Sequence, residues 1–519
     1  MYDLIIKNGK IVDGTASPGY YADVAIKNGK IAKIARNISD GNNIINAKGL
    51  TVTPGFIDSH SHSDKNLLTH PDMTEKIEQG ITTSIGGQCG STPAPLYKGV
   101  TEENAKDVAG FGKETDVYKT FGTLISIAKD VPLGSNNMSF VGHGAIRRAV
   151  IGMENRKATP DEMEQMKYLV REAMEAGAVG LSFGLIYTPS CYADTDELIE
   201  LAMVVKEYDG MLSAHIRNEG FELIAAVSEF LKVIKATGLK AVFSHHKSTV
   251  AENWGKVSHT IRMIRSAAEE GYDVYCDVYP YIASSTSLSA TIIPKEMRAL
   301  DTESLTEMLK DEENRRLIKE SYSSKLGDSL NHLLVTNCEN HPEYNGLRIS
   351  EIADLRGQDH YTAAFDILVE ANTNVTICNF SMCEEDVETV LKFERAMLCT
   401  DSGVAGGRTV FHPRLKATFP RFLGRYVRER GVVSLEEAIR KITSMPAMVY
   451  GLPTKGLIRE GFDADICIFD ADKIIDKSEF TNSNIRCEGL NYVILGGEVV
   501  VEDAVHNGKK MGKFITRQR

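Results

Sequence analysis

The sequence predicts a (β/α)8 TIM barrel carrying a small β-sandwich built from both chain termini. Three observations predict it. Short strands divided by turns occupy both ends of the chain, and between them eight short apolar runs alternate with amphipathic stretches, the signature of βα units around a parallel sheet. Each run ends in polar or reactive residues, the place where such a barrel keeps its functional groups. A doubly wound open sheet is the alternative, and the choice between the two turns on the final strand count.

The end segments come first. Residues 1–53 contain strand-like runs at 3–7, 9–12, 23–27, 31–34 and 51–53, and the Asn-Gly pairs at 8–9 and 28–29 signal hairpins. Residues 453–519 repeat the style at 466–469, 492–495 and 498–501, with Gly496-Gly497 at a turn. Neither end is large enough to bury a core alone, so the two are expected to pair.

Residues 54–452 are assigned to the barrel, with candidate strands at 55–58, 83–86, 139–142, 178–182, 211–214, 241–244, 273–278 and 396–400. The helix after the third strand is the clearest. Thr159-Pro-Asp-Glu162 supplies an N-cap, a first-position proline and a capping-box glutamate, Met163, Met166, Val170 and Met174 supply a buried stripe, and Gly177 ends it. Residues 289–372 read as charged helical sequence, an excursion between strands seven and eight.

Of 519 residues, 42% are hydrophobic and 25% charged, an ordinary globular balance. Counting 59 basic against 71 acidic residues gives a net charge of -12, which disfavours nucleic acid and anionic membrane as partners and does not identify a substrate; a small-molecule substrate is expected from the site chemistry below. Nine scattered cysteines with no C-x-x-C pair, no secretory leader pattern and no apolar run near ~18 residues lead us to expect a cytoplasmic location.

The chemistry gathers at the strand ends. In Pro54-Gly-Phe-Ile-Asp-Ser-His-Ser-His62 the two imidazoles of His60 and His62 are two residues apart on an extended chain, so they share a face and converge. Strand two leads into Gly86-Gly-Gln-Cys-Gly90, strand five into His215, strand six into Ser244-His-His-Lys247, and strand eight into Asp401. Taken singly, each histidine is an ordinary core or surface residue. Together, imidazoles, a thiol and a carboxylate make a donor set for one or two zinc ions. A cation there acidifies water and polarises a carbonyl, and Asp401 is the natural general base, so metal-assisted hydrolysis is the expected reaction class.

These residues resemble the amidohydrolase superfamily, and more narrowly the N-acyl-D-amino-acid deacylases, or D-aminoacylases. Gly86-Gly-Gln-Cys-Gly90, Gly180-Leu-Ser-Phe-Gly-Leu-Ile-Tyr187, Ala214-His-Ile-Arg-Asn-Glu219, Ser244-His-His-Lys247, Asp277-Val-Tyr-Pro-Tyr281 and His412-Pro-Arg414 carry the resemblance over nearly the whole chain. It implies a tightly held zinc on Cys89, His215 and His245, a weaker second position on His60, His62 and Asp401, and Asp401 as acid and base. It further implies that Tyr187, Lys247, Tyr279, Ser285 and Arg414 hold the substrate, with Tyr281 an alternative to Tyr279. The implied reaction is hydrolysis of N-acyl-D-amino acids to a carboxylate and a free D-amino acid. Strand four has no lysine to be carbamylated, which separates the chain from the hydantoinase, dihydroorotase and isoaspartyl dipeptidase branches. Hydrolysis of a cyclic amide or dipeptide at the same centre is the alternative activity. A non-catalytic scaffold is a second alternative, although one would have no need of all six donors.

Overall fold

The computed structural model describes residues 1–100, 118–295, 297–299, 302–327 and 329–517. Eight parallel strands form its centre: β1 (Phe56–Asp58), β2 (Ile81–Gly86), β3 (Asn136–Ser139 continued by Val141–Gly142), β4 (Gly180–Gly184), β5 (Met211–His215), β6 (Lys240–Phe243), β7 (Val274–Val278) and β8 (Ala396–Leu398). Each pairs with the next in sequence. The break in β3 at Phe140 is bridged by bonds from Phe140 N–H to the Gly86 carbonyl and from Val179 N–H to that of Ser139. Apart from Lys240 at the start of β6 the strands are buried, and Val, Ile, Leu and Phe side chains fill the space within and around them.

Closure of β8 on β1 decides between barrel and open sheet. Ser59 N–H donates to the Leu398 carbonyl, Asp401 N–H to that of His60 at 2.9 Å, and Ser61 pairs with Ser402. A buried strap locks this seam. The Asp58 carboxylate accepts from Thr400 N–H at 2.8 Å and Thr400 Oγ1 at 2.6 Å, while Lys76 Nζ donates to Asp58 Oδ2 at 3.1 Å and to Thr400 Oγ1 and the Ser402 carbonyl at 2.7 Å each. The closed barrel is thus sewn together at the residues flanking His60 and Asp401.

The helix Pro160–Ala176 forms with the full capping box at Thr159 and Glu162 and ends at Gly177, whose φ of 101° suits glycine. At the chain ends, nine strands join into one hydrogen-bonded sheet, in which Thr51–Pro54 from the first segment pairs with Ile466–Phe469 from the last. Ile6, Ile26, Val52, Ile466 and Ile494 share its core.

Three expectations need correction. Asn28-Gly29 turns a hairpin, but Asn8-Gly9 lies inside one strand, Tyr2–Ile11, as a bulge with Asn8 at φ 64°. Asp23 Oδ1 accepts the Asn8 N–H at 3.0 Å, and a side chain at Gly9 would strike Val52 at 2.4 Å, so the pair marks a close approach and not a reversal. The segment after β7 is more than helices. Ser284–Ser287, Leu333–Cys338 and Val375–Asn379 form an antiparallel sheet that packs with helices such as Ile349–Arg356 and His360–Glu370 around a separate core. Charged helical sequence on either side hides these strands from pattern reading. Finally, the last residues leave the terminal sheet for the barrel floor, where Gly512 exchanges hydrogen bonds with Leu133, and Ile515 N–H donates to the Asn137 carbonyl.

Replacing Lys76 with methionine leaves the Asp58 carboxylate buried without its cation, a change that costs about 3–5 kcal/mol. A lower urea midpoint for barrel unfolding, measured in chelator, is expected. An unchanged midpoint would show that the strap does not hold the seam.

Candidate metal centre

The donors meet at the carboxyl ends of the strands, and backbone conformation aims three of them. Cys89, His245 and Asp401 have φ of 54°, 35° and 47°, values that non-glycine residues seldom adopt and that gather at functional sites. Each is held by its surroundings. Gly87 and Gly90 flank Cys89 so closely to other backbone that a Cβ would lie 2.1 Å from the Phe140 carbonyl oxygen and 2.6 Å from Gly184 N. The His245 N–H donates to Asp277 Oδ1 at 2.5 Å, and the β1–β8 seam holds Asp401.

His60, Cys89, His245 and Asp401 bring one ligand atom each to within 4.8 Å of one another, and all four are buried. Cys89 Sγ lies 3.3 Å from His60 Nε2, 3.3 Å from His245 Nε2 and 3.6 Å from His215 Nδ1. Asp401 Oδ1 lies 3.2 Å from His62 Nε2 and 3.4 Å from His60 Nε2. All six expected donors therefore assemble, and the thiol of the first expected group also reaches His60 of the second at 3.3 Å.

The charges show what the cluster suits. Burial opposes ionisation of Cys89, but His60 and His245 outweigh it and bring the thiol well below its ordinary value. Burial likewise opposes the Asp401 carboxylate, and Arg414 and His245 outweigh it, holding that carboxyl well below the usual range. Conversely, burial and Lys247 lower His245 while Asp401 and Cys89 raise it, for a net value of about 9. The anions draw positive charge onto the imidazoles, a demand that a divalent cation meets directly. The soft thiolate and the imidazoles fit zinc.

A second ring of side chains orients the first. Glu219 lies 3.1 Å from His245 Nδ1 and 3.7 Å from His215 Nε2, and accepts from Lys247 Nζ at 2.6 Å. Asp277 Oδ1 lies 3.6 Å from His60 Nδ1. Neither acid was among the expected site residues. Both stand in motifs that the sequence displays, but the pairing of Glu219 with two histidines from different strands has no local signature.

A cavity of about 380 Å³ opens onto Cys89 and Asp401, within the ~300–1,000 Å³ range of ligand pockets. Tyr187, Ser285 and Arg414 line it as expected. Arg414 Nη1 donates to Asp401 Oδ2 at 2.7 Å, and Nη2 reaches the Ser285 carbonyl at 3.5 Å. Lys247 and Tyr279 stand behind this lining: Lys247 is taken up by Glu219 and His245, and Tyr279 carries the Arg414 guanidinium over its ring at 4.7 Å. Tyr281 faces elsewhere, under Arg421 and against His412. His246 is structural, bonded to Thr260 and lowered by burial to about 4.

Residues 43–501 match the family model described as "Amidohydrolase family". A D-aminoacylase of Alcaligenes xylosoxydans xylosoxydans is 32% identical over 99% of this chain and 98% of its own. The chain belongs to the amidohydrolase family, in its D-aminoacylase branch. An N-acyl-D-glutamate deacylase of the same organism is 34% identical to this amidohydrolase over 97% of the chain and 94% of its own. The crystal structure of N-acyl-D-glutamate deacylase from Bordetella bronchiseptica, complexed with zinc and a phosphonate mimic of the tetrahedral intermediate, superposes with a TM-score of 0.85 at 31% identity, covering 99% and 100% of the two chains.

Two substitutions test the centre of this amidohydrolase. Cys89→Ala is expected to emerge from chelator dialysis without zinc. Glu219→Gln, one layer out, is expected to weaken zinc roughly 10- to 100-fold. Elemental analysis and competition with a chromophoric chelator read both, and full zinc retention by Cys89→Ala would remove the thiol from the ligand set.

Proposed function

We propose that this amidohydrolase cleaves the amide bond of N-acyl-D-amino acids, releasing a carboxylate and a free D-amino acid. The observation that carries this reading is the single Asp401 carboxylate, shared between the donor cluster and the Arg414 guanidinium that faces the cavity. A base and an anchor for a carboxylate stand side by side.

A zinc ion held by Cys89, His215 and His245, with His60, His62 and Asp401 as a weaker second position, supplies Lewis acidity that acidifies water and polarises the acyl carbonyl. The side chains do the rest. Asp401 takes the proton from the attacking water and returns it to the departing nitrogen, general base and then general acid. Arg414 binds the α-carboxylate through the guanidinium nitrogens that face the cavity, with Ser285 beside it. The Tyr187 ring packs edge-on 4.9 Å from His215, and burial together with the nearby Cys89 and Asp401 charges pushes its phenol up, so it stays a hydrogen-bond donor. Tyr279, Lys247 and Glu219 fix Arg414 and His245 from behind. The D-configuration rests on the likeness to the two deacylases. Nine free thiols and the absence, among the described residues, of any helix long and apolar enough to cross a membrane support our reading of a cytoplasmic enzyme with a small-molecule substrate.

Amine release from matched N-acetyl-D- and N-acetyl-L-amino acids tests the reaction, with turnover expected in the D-series alone. Turnover of hydantoins instead would move the activity to cyclic amides. Asp401→Asn is expected to lose about 10²- to 10⁴-fold in kcat while still binding N-acetyl-D-amino acids, and wild-type turnover there would displace Asp401 as the base.

A further inference from the structure

Two cations in the cavity have no part in the chemistry above. Lys65 lies in the turn Ser63–Asn66 after β1, and Arg148 in the helix His143–Val150 after β3. Both line the same cavity as Cys89, Asp401 and Arg414. Arg414 has its counter-ion in Asp401 at 2.7 Å. Among the described residues, no carboxylate lies within ion-pair distance of Lys65 or Arg148. Asp64, the neighbour of Lys65, makes no ion pair with it, and both Asp64 oxygens are buried without hydrogen-bond partners. Arg148 instead lies over the Tyr97 ring at 4.2 Å, which places its guanidinium beside another residue of the cavity wall. Lys65 is exposed at the cavity mouth and Arg148 is half-buried, and in a chain of net charge -12 two cations lining one cavity with no ion-paired carboxylate among the described residues are a feature to be explained.

Their position says which end of a substrate they meet, given the deacylase reading above, on which this inference rests. Arg414, Ser285 and Tyr279 belong to the wall built from β7 and β8, and the donor cluster occupies the middle. With the α-carboxylate on Arg414 and the scissile carbonyl at the cluster, the acyl group extends away from Cα, toward the wall built from β1, β2 and β3. That wall carries Lys65, Tyr97 and Arg148. We propose that Lys65 and Arg148 form an acyl-group subsite for a distal negative charge, so that the preferred substrates are D-amino acids N-acylated by a dicarboxylic acid. The reaction is unchanged: water adds its oxygen to the acyl carbon, the C–N bond breaks, the nitrogen gains a proton, and the products are a dicarboxylate and a D-amino acid. Tyr187, Ser190 and Gly144 also line the cavity.

The test uses the zinc-loaded full chain and N-acetyl and N-succinyl derivatives of one D-amino acid, with kcat/KM as the readout. The succinyl derivative is expected to be preferred. Arg148→Gln and Lys65→Met should each cut the succinyl-to-acetyl ratio roughly 10- to 100-fold, the worth of one charge-assisted hydrogen bond, while Arg148→Lys should restore part of it. An acetyl derivative turned over as well as the succinyl one, with a ratio that neither variant moves, overturns the subsite and leaves the deacylase reading standing. Variants that instead lower N-acetyl-D-glutamate relative to N-acetyl-D-leucine would assign the cations to the amino-acid side chain, and also overturn the proposal. Turnover of neither acyl series would overturn the deacylase reading itself.

Discussion

The site depends on one buried ion pair. Asp58 and Lys76 lie at the seam where the first strand of the barrel meets the last, and both are wholly enclosed. Taking two charges out of water is expensive, and such a pair stabilises only when its remaining donors and acceptors are satisfied. Here they are: Asp58 takes the backbone N–H and hydroxyl of Thr400, and Lys76 takes the Thr400 hydroxyl and the Ser402 carbonyl. The atoms so fixed flank Asp401 on one strand and His60 on the other. A parallel barrel closes by pairing strands far apart in sequence, so its seam is the place where two distant segments of a functional site can be held in register. The pair spends its geometry there.

Around that seam the cluster is a problem in charge compensation. A thiolate, three carboxylates and several imidazoles share a volume from which water is largely excluded. Each anion is stabilised by neighbours and not by solvent: Cys89 by His60 and His245, Asp401 by Arg414, Glu219 by Lys247. Glu219 shows the coupling most plainly, since burial pushes its carboxyl up and Lys247 with His215 and His245 more than reverses the effect. An imidazole that is oriented by a carboxylate behind it presents its other nitrogen as a better ligand. The second ring therefore sets both the direction and the basicity of the first.

Much of this was legible in the sequence, for reasons of period and place. His60 and His62 declare themselves because an extended chain repeats every two residues. Cys89, His215, His245 and Asp401 declare themselves because each follows an apolar run of strand length. What escaped is non-local or conformational. Asn8-Gly9 has hairpin chemistry, but the strand runs through it because Gly9 must pass close to Val52 and Asp23 caps the Asn8 N–H. The run Leu333–Cys338 has strand composition, but its partners lie before and after long charged helices, so no short window shows the sheet. Glu219 and Asp277 stood in view within motifs and gave no sign of which histidine each would orient. Tyr279 and Tyr281 are two residues apart in a loop beyond β7, where alternation no longer applies, and only packing separates the one beneath Arg414 from the one beneath Arg421.

The division of labour follows from the same topology. Reactive atoms sit on strand ends, where the barrel fixes them through many hydrogen bonds. The residues proposed to meet the outer parts of a substrate sit farther along the loops: Ser285 in the sheet inserted after β7, Arg414 at the start of the helix after β8, Lys65 in a short turn and Arg148 on a helix. The loops after β7 and β8 are tied together, His412 bonding to the Ala283 carbonyl at 2.8 Å and Arg414 lying over Tyr279, while Lys65 and Arg148 stand on elements after β1 and β3. The seam and the cluster must keep their geometry for any hydrolysis to occur, a demand that the outer residues of the cavity do not share. On the proposed reading, the charges that would meet the amino-acid end and the acyl end of the substrate hang from different strands, so one reaction can serve substrates that differ at either end.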